Sequence, residues 1–220
     1  MSELTILYAD AALVVCIKPA GAASEGTDAA AMPQLLAAQL GCPVYPVHRL
    51  DQPVGGVMVY AKTQKAAAAL CAQMAAEQFE KTYLAVLPAP MESAAGTLRD
   101  LLFYDRRRGK SFVVERARAG VKEASLSYET LESGAAGCLV RVRLHTGRTH
   151  QIRVQFAARK HPLLGDGKYG SRVKCNVALW SHVLRFCHPA DGRELRFSAP
   201  PPDAFPWNGF SAYSGYETKI

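Results

Sequence analysis

Three polar side chains lie close together in residues 47–56, VHRLDQPVGG. His48, Arg49 and Asp51 are residue types that bind anions, transfer protons or act as nucleophiles. The segment ends in a proline and two glycines. Because an aspartate before proline is also a common turn former, this segment alone is typical of either an active-site loop or a charged turn.

A second polar cluster lies in residues 146–156, TGRTHQIRVQF. Its members are Arg148, Thr149, His150, Gln151 and Arg153. Alone, the cluster is also typical of the solvated start of a helix. A buried carboxylate that must stay ionised needs a cationic partner, however, and a helix that carries Arg153 could supply one to Asp51. Taken together, the two segments favour an active site.

Apolar patterns indicate that a strand-rich fold positions these clusters. The clearest helix pattern is in residues 64–79, where Ala, Gln, Lys and Glu dominate. Thr63 directly precedes this segment and is placed to cap the helix. Residues 148–160 have Ile152 and Phe156 four apart, as a helix would place them on one face. The other periodic segments alternate or are short and apolar, without a regular βαβ rhythm. The sequence therefore predicts an α+β fold with a mixed, mostly antiparallel sheet.

The composition is that of a folded, basic protein. Apolar residues make up 49% of the chain and charged residues 20%, and the formal charge of +7 permits binding to nucleic acid without proving it. The N-terminus has no signal-peptide pattern, and no segment approaches the ~18 apolar residues of a membrane span. We expect a cytoplasmic protein that does not contact a membrane.

The glycine motif GDGKYG, residues 165–170, matches GxGxxG letter for letter. A dinucleotide site needs a strand before the glycines and a helix that begins within them. The following residues, SRVKCNVALW, are apolar at strand spacing, so we predict a glycine-rich turn. A nucleotide-dependent oxidoreductase is the rival hypothesis, and it requires a helix after Gly170.

Histidines, cysteines and a basic run are the remaining residues that could bind a metal or phosphate. His145 and His150 are five apart and cannot share a helical face, and the six cysteines have no ligand spacing, so we predict no metal site. The run RRRGK, residues 106–110, is an exposed basic turn that is either solvated or binds phosphates.

Three segments resemble the signature segments of the pseudouridine synthases, in the branch that modifies uridines of large-subunit ribosomal RNA and tRNA. They are HRLDQPVGGVMVYAKT, KTYLAV and LHTGRTHQIRVQF. ILYADAALVVCIKPAG resembles the opening segment of that branch, and PLLGDGKYG resembles its later glycine turn. The similarity runs in order from about Ile6 to Phe210, which is nearly the whole chain.

The resemblance implies helices and loops around a basic catalytic cleft and an isomerase that acts on RNA without a metal or organic cofactor. The uracil base is released from C1′ of its ribose, turned, and rejoined through C5. Asp51 corresponds to the catalytic aspartate, Tyr83 to the tyrosine that packs on the base, and Arg153 to the arginine paired with the aspartate. The expected RNA- or substrate-binding residues are His48, Arg49, Arg148, Thr149, His150, Gln151 and Leu179.

Some positions depart from the pattern of the family. Trp180 and Ser181 follow Leu179 where relatives often have His and Ala, and Pro88 stands where Gly is common. Because the chain begins at the catalytic core, we expect a single catalytic domain over residues 1–220 without an N-terminal accessory RNA-binding domain. We also expect a monomer. Both tRNA and ribosomal RNA remain open as substrates. A non-catalytic RNA-binding module with the same fold would be expected to lack Asp51.

Overall fold

Eleven strands and three α-helices form in the computed structural model, which describes residues 3–212. The strands are β1 (Ile6–Ala9), β2 (Leu13–Lys18), β3 (Tyr45–Pro46), β4 (Gly55–Ala61), β5 (Glu80–Leu87), β6 (Ala95–Asp105), β7 (Lys110–Val114), β8 (Val121–Gly134), β9 (Gly137–Leu144), β10 (Leu179–Cys187) and β11 (Glu194–Ser198). The helices are α1 (Met32–Leu40), α2 (Gln64–Ala75) and α3 (Gln151–Ala158). No α-helix in this range is long and apolar enough to cross a membrane.

The described residues divide into two compact units. The first comprises residues 3–81 and 180–201, and the second comprises residues 82–179 and 202–212. The expectation of one catalytic domain over residues 1–220 remains a prediction.

Strand β4 is the centre of the first unit, and all seven of its residues are buried. It pairs antiparallel with β2 and β3 and parallel with β10, through the partners Gly55–Trp180 and Gly56–Ser181. Strands β1 and β11 extend the sheet as antiparallel neighbours of β2 and β10. Because β4 is covered on both faces, its sequence is a continuous apolar run rather than an alternating one.

Helix α2 closes the core of the first unit. It begins where Thr63 was predicted to cap it, since the Thr63 hydroxyl accepts a hydrogen bond from the Ala66 N–H at 3.1 Å. Leu70 on α2 packs in one cluster with Phe186 and Phe197 from β10 and β11. The cluster joins residues from early and late parts of the chain.

The predicted length of α2 is wrong at its C-terminal end. The helix ends at Ala75 rather than extending to Phe79, and Glu77 adopts a left-handed conformation with φ of 58°. The chain therefore turns away from the helix axis, and the Phe79 ring stacks on Phe186 with centroids 5.0 Å apart. Core packing thus overrides the helix propensity of the segment.

The second unit is built on an antiparallel series of strands. Strand β8 pairs with β9 and β6, and β6 pairs with β7, while β5 neighbours β9. Helix α3 packs with Val154 beside Leu102 and Ala124 of this sheet. Strands β4 and β10 form a parallel pair, and the other pairs described above are antiparallel. The predicted α+β fold with a mixed, mostly antiparallel sheet is therefore confirmed.

The junction between β4 and β10 requires glycine. Gly56 has φ of +124°, and a Cβ atom there would lie 2.3 Å from the Ser181 carbonyl oxygen and 2.5 Å from the Ser181 nitrogen. Both atoms belong to the backbone of a paired strand, so neither can move without breaking the pairing. Gly56 therefore fixes how closely the segment after Asp51 approaches β10.

The substitution Gly56→Ala should lower the free energy of unfolding by about 3 kcal/mol or more, because it adds a backbone clash to an unfavourable φ. Urea denaturation measures the loss. Gly41→Ala is the matched control: Gly41 has φ of +69° at the end of α1, but a Cβ there meets nothing within 4 Å, so the cost should be about 1 kcal/mol. Equal losses in the two variants would contradict the assignment.

Candidate active site

Asp51 lies in a tight turn directly before β4. The Asp51 carbonyl oxygen accepts a hydrogen bond from the Val54 N–H at 2.9 Å, and the Asp51 side chain is half-buried. Pro53 fixes one φ of the turn, and Gly55 then opens the buried strand. The turn that the sequence indicated is therefore present, and it holds the Asp51 carboxylate just before the N-terminal end of the buried strand β4.

The residue before Asp51 is anchored by a buried serine. The Ser24 hydroxyl donates to the Leu50 carbonyl oxygen and accepts from the Leu50 N–H at 3.0 Å. The Tyr60 hydroxyl on β4 donates to the Ser24 carbonyl oxygen at 2.8 Å, which ties the serine to the core. Leu50 itself is buried, so the N-terminal side of the Asp51 turn cannot shift freely.

The residue after Asp51 is anchored by a buried lysine. Lys18, at the end of β2, is fully buried, and its Nζ donates to the carbonyl oxygens of Pro19, Ala22 and Gln52 at 3.0, 2.6 and 3.2 Å. Burial lowers the pKa of Lys18 to about 8, although the charge of nearby Asp51 opposes that shift. A cation thus lies in the electrostatic range of the Asp51 carboxylate within the first unit.

His48 and Arg49 lie on the same loop but in different surroundings. The Nε2 atom of His48 accepts a hydrogen bond from the Val59 N–H at 3.2 Å, and the ring packs against Phe79 with centroids 5.8 Å apart. Burial, with a further contribution from Lys81, lowers the pKa of His48 to about 3, so the ring is neutral at pH 7. Arg49 is exposed and lies 3.4 Å from the Glu25 carboxylate.

Arg153 is held by an aspartate that the sequence analysis did not single out. Its Nε donates to one oxygen of Asp166 at 2.7 Å and its Nη2 to the other at 2.8 Å, and the side chains are only 4% and 0% exposed. This bidentate geometry fixes the plane of the guanidinium group. These two hydrogen bonds engage the Nε and Nη2 atoms of Arg153.

Tyr169 covers the Arg153–Asp166 pair. The Arg153 guanidinium lies 5.2 Å from the centre of the Tyr169 ring, and the Tyr169 hydroxyl accepts from the Ser111 N–H at 2.8 Å. A ring nitrogen of His150 lies 2.9 Å from the same hydroxyl. Burial raises the pKa of Tyr169 to about 12, against the lowering effects of the Ser111 N–H and Arg153. The phenol is therefore protonated at pH 7.

The loop before α3 is held by Gln151. The buried Gln151 side chain accepts from the Thr146 hydroxyl at 2.7 Å and from the Arg148 N–H at 3.0 Å, and it donates to the Ser125 carbonyl oxygen at 3.0 Å. The exposed Arg148 side chain donates to the Glu123 carbonyl oxygen at 2.8 Å. The Thr149 carbonyl oxygen accepts from the Ser111 hydroxyl. RNA contact by these residues remains a prediction.

Two further predicted residues are buried in the second unit. Tyr83 lies on β5 and is 5% exposed, and Leu179 lies at the start of β10 and is also 5% exposed. Each is thus an apolar surface on a strand rather than a loop residue. Their contact with a target base remains a prediction.

Each unit therefore brings part of the predicted set together. The first unit places Asp51 with His48 and Arg49, and the second places Arg153 with His150 and Gln151. Sequence reasoning missed Lys18, Ser24, Asp166 and Tyr169 as supports of these side chains. Lys18 lies in the segment KPAG, and Asp166 lies in the motif GDGKYG. A charged residue at the end of an apolar run was the available signal for Lys18, whereas Asp166 stands between two glycines and had no such signal.

The glycine motif does not open a helix. A three-residue 3₁₀ turn covers Gly167–Tyr169, and residues 171–178 are irregular up to the start of β10. The helix required for a dinucleotide phosphate is thus missing from this part of the described chain, which removes the oxidoreductase hypothesis. Among residues 3–212, no three His, Cys, Asp or Glu side chains are grouped to hold a metal ion.

Comparison with known proteins gives consistent matches. The family described as RNA pseudouridylate synthase matches residues 12–158. An RNA pseudouridine synthase of Mycobacterium bovis is 35% identical over 217 residues, covering 90% of this chain and 70% of that protein. Ribosomal large subunit pseudouridine synthase D of Xanthomonas campestris is 33% identical, covering 91% of this chain and 66% of that protein.

Solved structures agree with this match. Human RNA pseudouridylate synthase domain containing 4 superposes with a TM-score of 0.75 at 26% identity, covering 90% of this chain and 88% of that one. Human RNA pseudouridylate synthase domain containing 1 superposes with a TM-score of 0.77 at 24% identity, covering 91% and 84%. The second likeness concerns the fold alone.

Asp166→Asn should lower the free energy of unfolding by about 3–5 kcal/mol, because it removes the buried carboxylate that binds the Arg153 guanidinium through two hydrogen bonds. Chemical denaturation measures the loss. Glu194→Gln is the matched control, since it removes the carboxylate of an exposed pair with Arg185 and should leave the melting temperature near that of the unmodified protein. Similar behaviour of the two variants would contradict the role of Asp166.

Stability should fall as the pH drops from 6.5 towards 3, because His48 stays neutral in the folded state while the unfolded chain takes up the proton near pH 6.5. Between pH 7.5 and 5 this one group should cost about 2 kcal/mol. His48→Gln should lose that part of the pH dependence, measured by urea denaturation at both pH values. His145→Gln, at an exposed histidine, should retain it; an unchanged dependence in His48→Gln would disprove the assignment.

Proposed function

Because this chain belongs to the RNA pseudouridylate synthase family, we propose that it isomerises specific uridines of structured RNA, with Asp51 as its catalytic carboxylate. Membership of the family makes the chain an isomerase that acts on RNA.

One observation carries the assignment of Asp51. The residues on either side of it, Leu50 and Gln52, are anchored by buried groups, Ser24 and Lys18, while the Asp51 side chain is half-buried. A charged turn with no function would not need support from a fully buried ammonium group. Such support is what a reacting group requires, because small errors in its position are costly to the rate.

The proposed reaction exchanges one bond to the ribose for another. The bond between N1 of uracil and C1′ breaks, the base turns, and a bond forms between C5 and C1′. The proton on C5 is lost and N1 gains one, so substrate and product have the same atoms and no oxidant or co-substrate is required. Asp51 acts on the ribose or the base to permit this exchange.

The other predicted side chains are assigned supporting roles. A uridine in structured RNA must leave its stack before it can react, at a cost of a few kcal/mol. We assign Tyr83 and Leu179 to the surfaces that receive the base, because both are buried apolar faces on strands. The exposed Arg49 is assigned to the space that the base leaves.

Arg153 is assigned to Asp51 as a cationic partner that keeps the carboxylate ionised. Support comes from Asp166 and Tyr169, which hold the guanidinium plane in one orientation. A lysine has no planar fork, so it could not bind Asp166 through two N–H groups and serve a second carboxylate at a fixed angle. The side chain at position 153 is therefore expected to be specific for arginine.

The substrate is proposed to be tRNA or ribosomal RNA. The name of the Xanthomonas campestris relative refers to the ribosomal large subunit. We also propose that the protein is cytoplasmic and monomeric.

A transcriptome-wide map of pseudouridine in a strain that lacks the gene tests the function. A defined set of sites should disappear and return with the unmodified gene. Asp51→Asn should restore none of them, because an amide cannot act as a carboxylate. Arg153→Lys should restore few, since it loses the planar fork, while its affinity for RNA survives.

Lys65→Gln, at an exposed position on α2, is the matched control and should restore every site. Protein levels and melting temperatures of all variants separate misfolding from loss of chemistry. If no site depends on the gene, or if Asp51→Asn restores modification, the proposed function is wrong. Near-normal turnover by Arg153→Lys would overturn the role given to Arg153 alone.

A further inference from the structure

Positive charge is concentrated in one short part of the second unit, residues 103–120, which we call the basic hairpin. It contains six basic residues and two acidic ones, a net charge of +4 out of +7 for the whole chain. The basic residues are Arg106, Arg107, Arg108, Lys110, Arg116 and Arg118. The remaining 202 residues carry a net charge of only +3, so the basic hairpin holds more than half of the net positive charge of the chain.

The basic hairpin is a built surface rather than a loose loop. Its strands β6 and β7 pair in regular register, with Phe103 opposite Phe112. The Asp105 carboxylate accepts hydrogen bonds from the backbone N–H groups of Arg107 and Arg108, at 2.9 and 3.2 Å, and so closes the turn. The side chains of Arg107 and Arg108 are left exposed.

Aromatic rings hold several of these cations in place. Arg108 and Lys110 lie 5.8 and 5.7 Å from the centre of the Phe112 ring, and Arg118 lies 4.9 Å from the centre of the Phe103 ring. Such contacts restrict long, flexible side chains before a ligand arrives. Binding then loses less side-chain entropy than it would with freely moving arginines.

Opposing charge is limited. Asp105 lies 3.7 Å from the Arg108 guanidinium but is occupied with closing the turn, and Glu115 is exposed beyond β7. Lys168 adds a further cation to the turn, since its Nζ donates to the Gly109 carbonyl oxygen at 2.9 Å. The surface therefore stays strongly positive despite its two carboxylates.

We propose that the basic hairpin binds the phosphodiester backbone of the substrate RNA at nucleotides other than the one that reacts. The proposal rests on the proposed function, because it takes RNA as the natural polyanion of this enzyme. Phosphate contacts of this kind give affinity and register without reading base identity. The basic hairpin then supplies affinity, and the site around Asp51 supplies chemistry.

The test compares RNA affinity of two triple variants made in the Asp51→Asn background, so that binding is measured without turnover. Filter binding uses bulk tRNA and a transcript of large-subunit ribosomal RNA as probes, over a range of salt concentrations. Arg106→Gln with Arg107→Gln and Arg108→Gln should weaken binding about tenfold or more at 0.15 M salt. The slope of log affinity against log salt should become shallower by about 2.

The matched control triple is Lys65→Gln, Lys160→Gln and Lys174→Gln. It removes the same charge at exposed positions outside the basic hairpin and should change affinity by less than about twofold. A further variant, Phe103→Leu with Phe112→Leu, keeps every cation but removes the rings, and should weaken binding about threefold. Melting temperatures show whether each variant is folded.

If the two triple variants lose the same RNA affinity, the effect is one of net charge alone and the proposal is wrong. Unchanged RNA affinity in the triple variant of the basic hairpin would also overturn it. Polyglutamate is a third probe. If the triple variant of the basic hairpin loses as much affinity for polyglutamate as for RNA, the surface is better suited to an acidic protein partner, and the proposal of RNA is wrong. Because binding is measured with inactive protein, these outcomes are independent of the pseudouridine map. The basic hairpin can bind RNA even if no pseudouridine depends on the gene, and pseudouridines can depend on the gene even if the basic hairpin does not bind RNA.

Discussion

A buried ammonium group holds the turn that carries Asp51. Lys18 is removed from water at the end of a core strand, which is costly unless its donors are satisfied. Three carbonyl oxygens satisfy them, and one belongs to Gln52, next to the carboxylate. The cost of burying a charge is thus offset only when the two loops meet in one arrangement. The position of the backbone at Asp51 follows from this requirement.

The second unit solves a similar problem with a pair of opposite charges. Arg153 must keep a fixed orientation on a short helix whose first six residues are all buried. Asp166 supplies two hydrogen bonds and Tyr169 supplies an aromatic face, so the guanidinium is restrained in its plane and from one side. In both units, then, the charged group assigned to the chemistry depends on a buried polar group that is distant in sequence.

The sequence predicted local structure well where local physics decides it. The start of α2 followed from Thr63, whose hydroxyl caps the helix as predicted. The end of α2 could not be predicted, because the pull of Phe79 into the core with Phe186 is a long-range effect. The partner of Arg153 could not be predicted for the same reason. Asp166 stands in a glycine-rich segment that is typical of a turn, and only the folded chain brings its carboxylate to the helix.

The order of the chain has a consequence for synthesis. The core of the first unit needs Phe186 and Phe197, which the ribosome adds after every strand of the second unit from β5 to β9. The sheet around Asp51 therefore cannot be completed while the nascent chain is still being extended through those strands. A long intervening segment has to be accommodated first, and closing such a loop carries an entropic cost. Folding of the first unit is for this reason a late event in translation, and the N-terminal strands must wait for partners that arrive near the end of the chain.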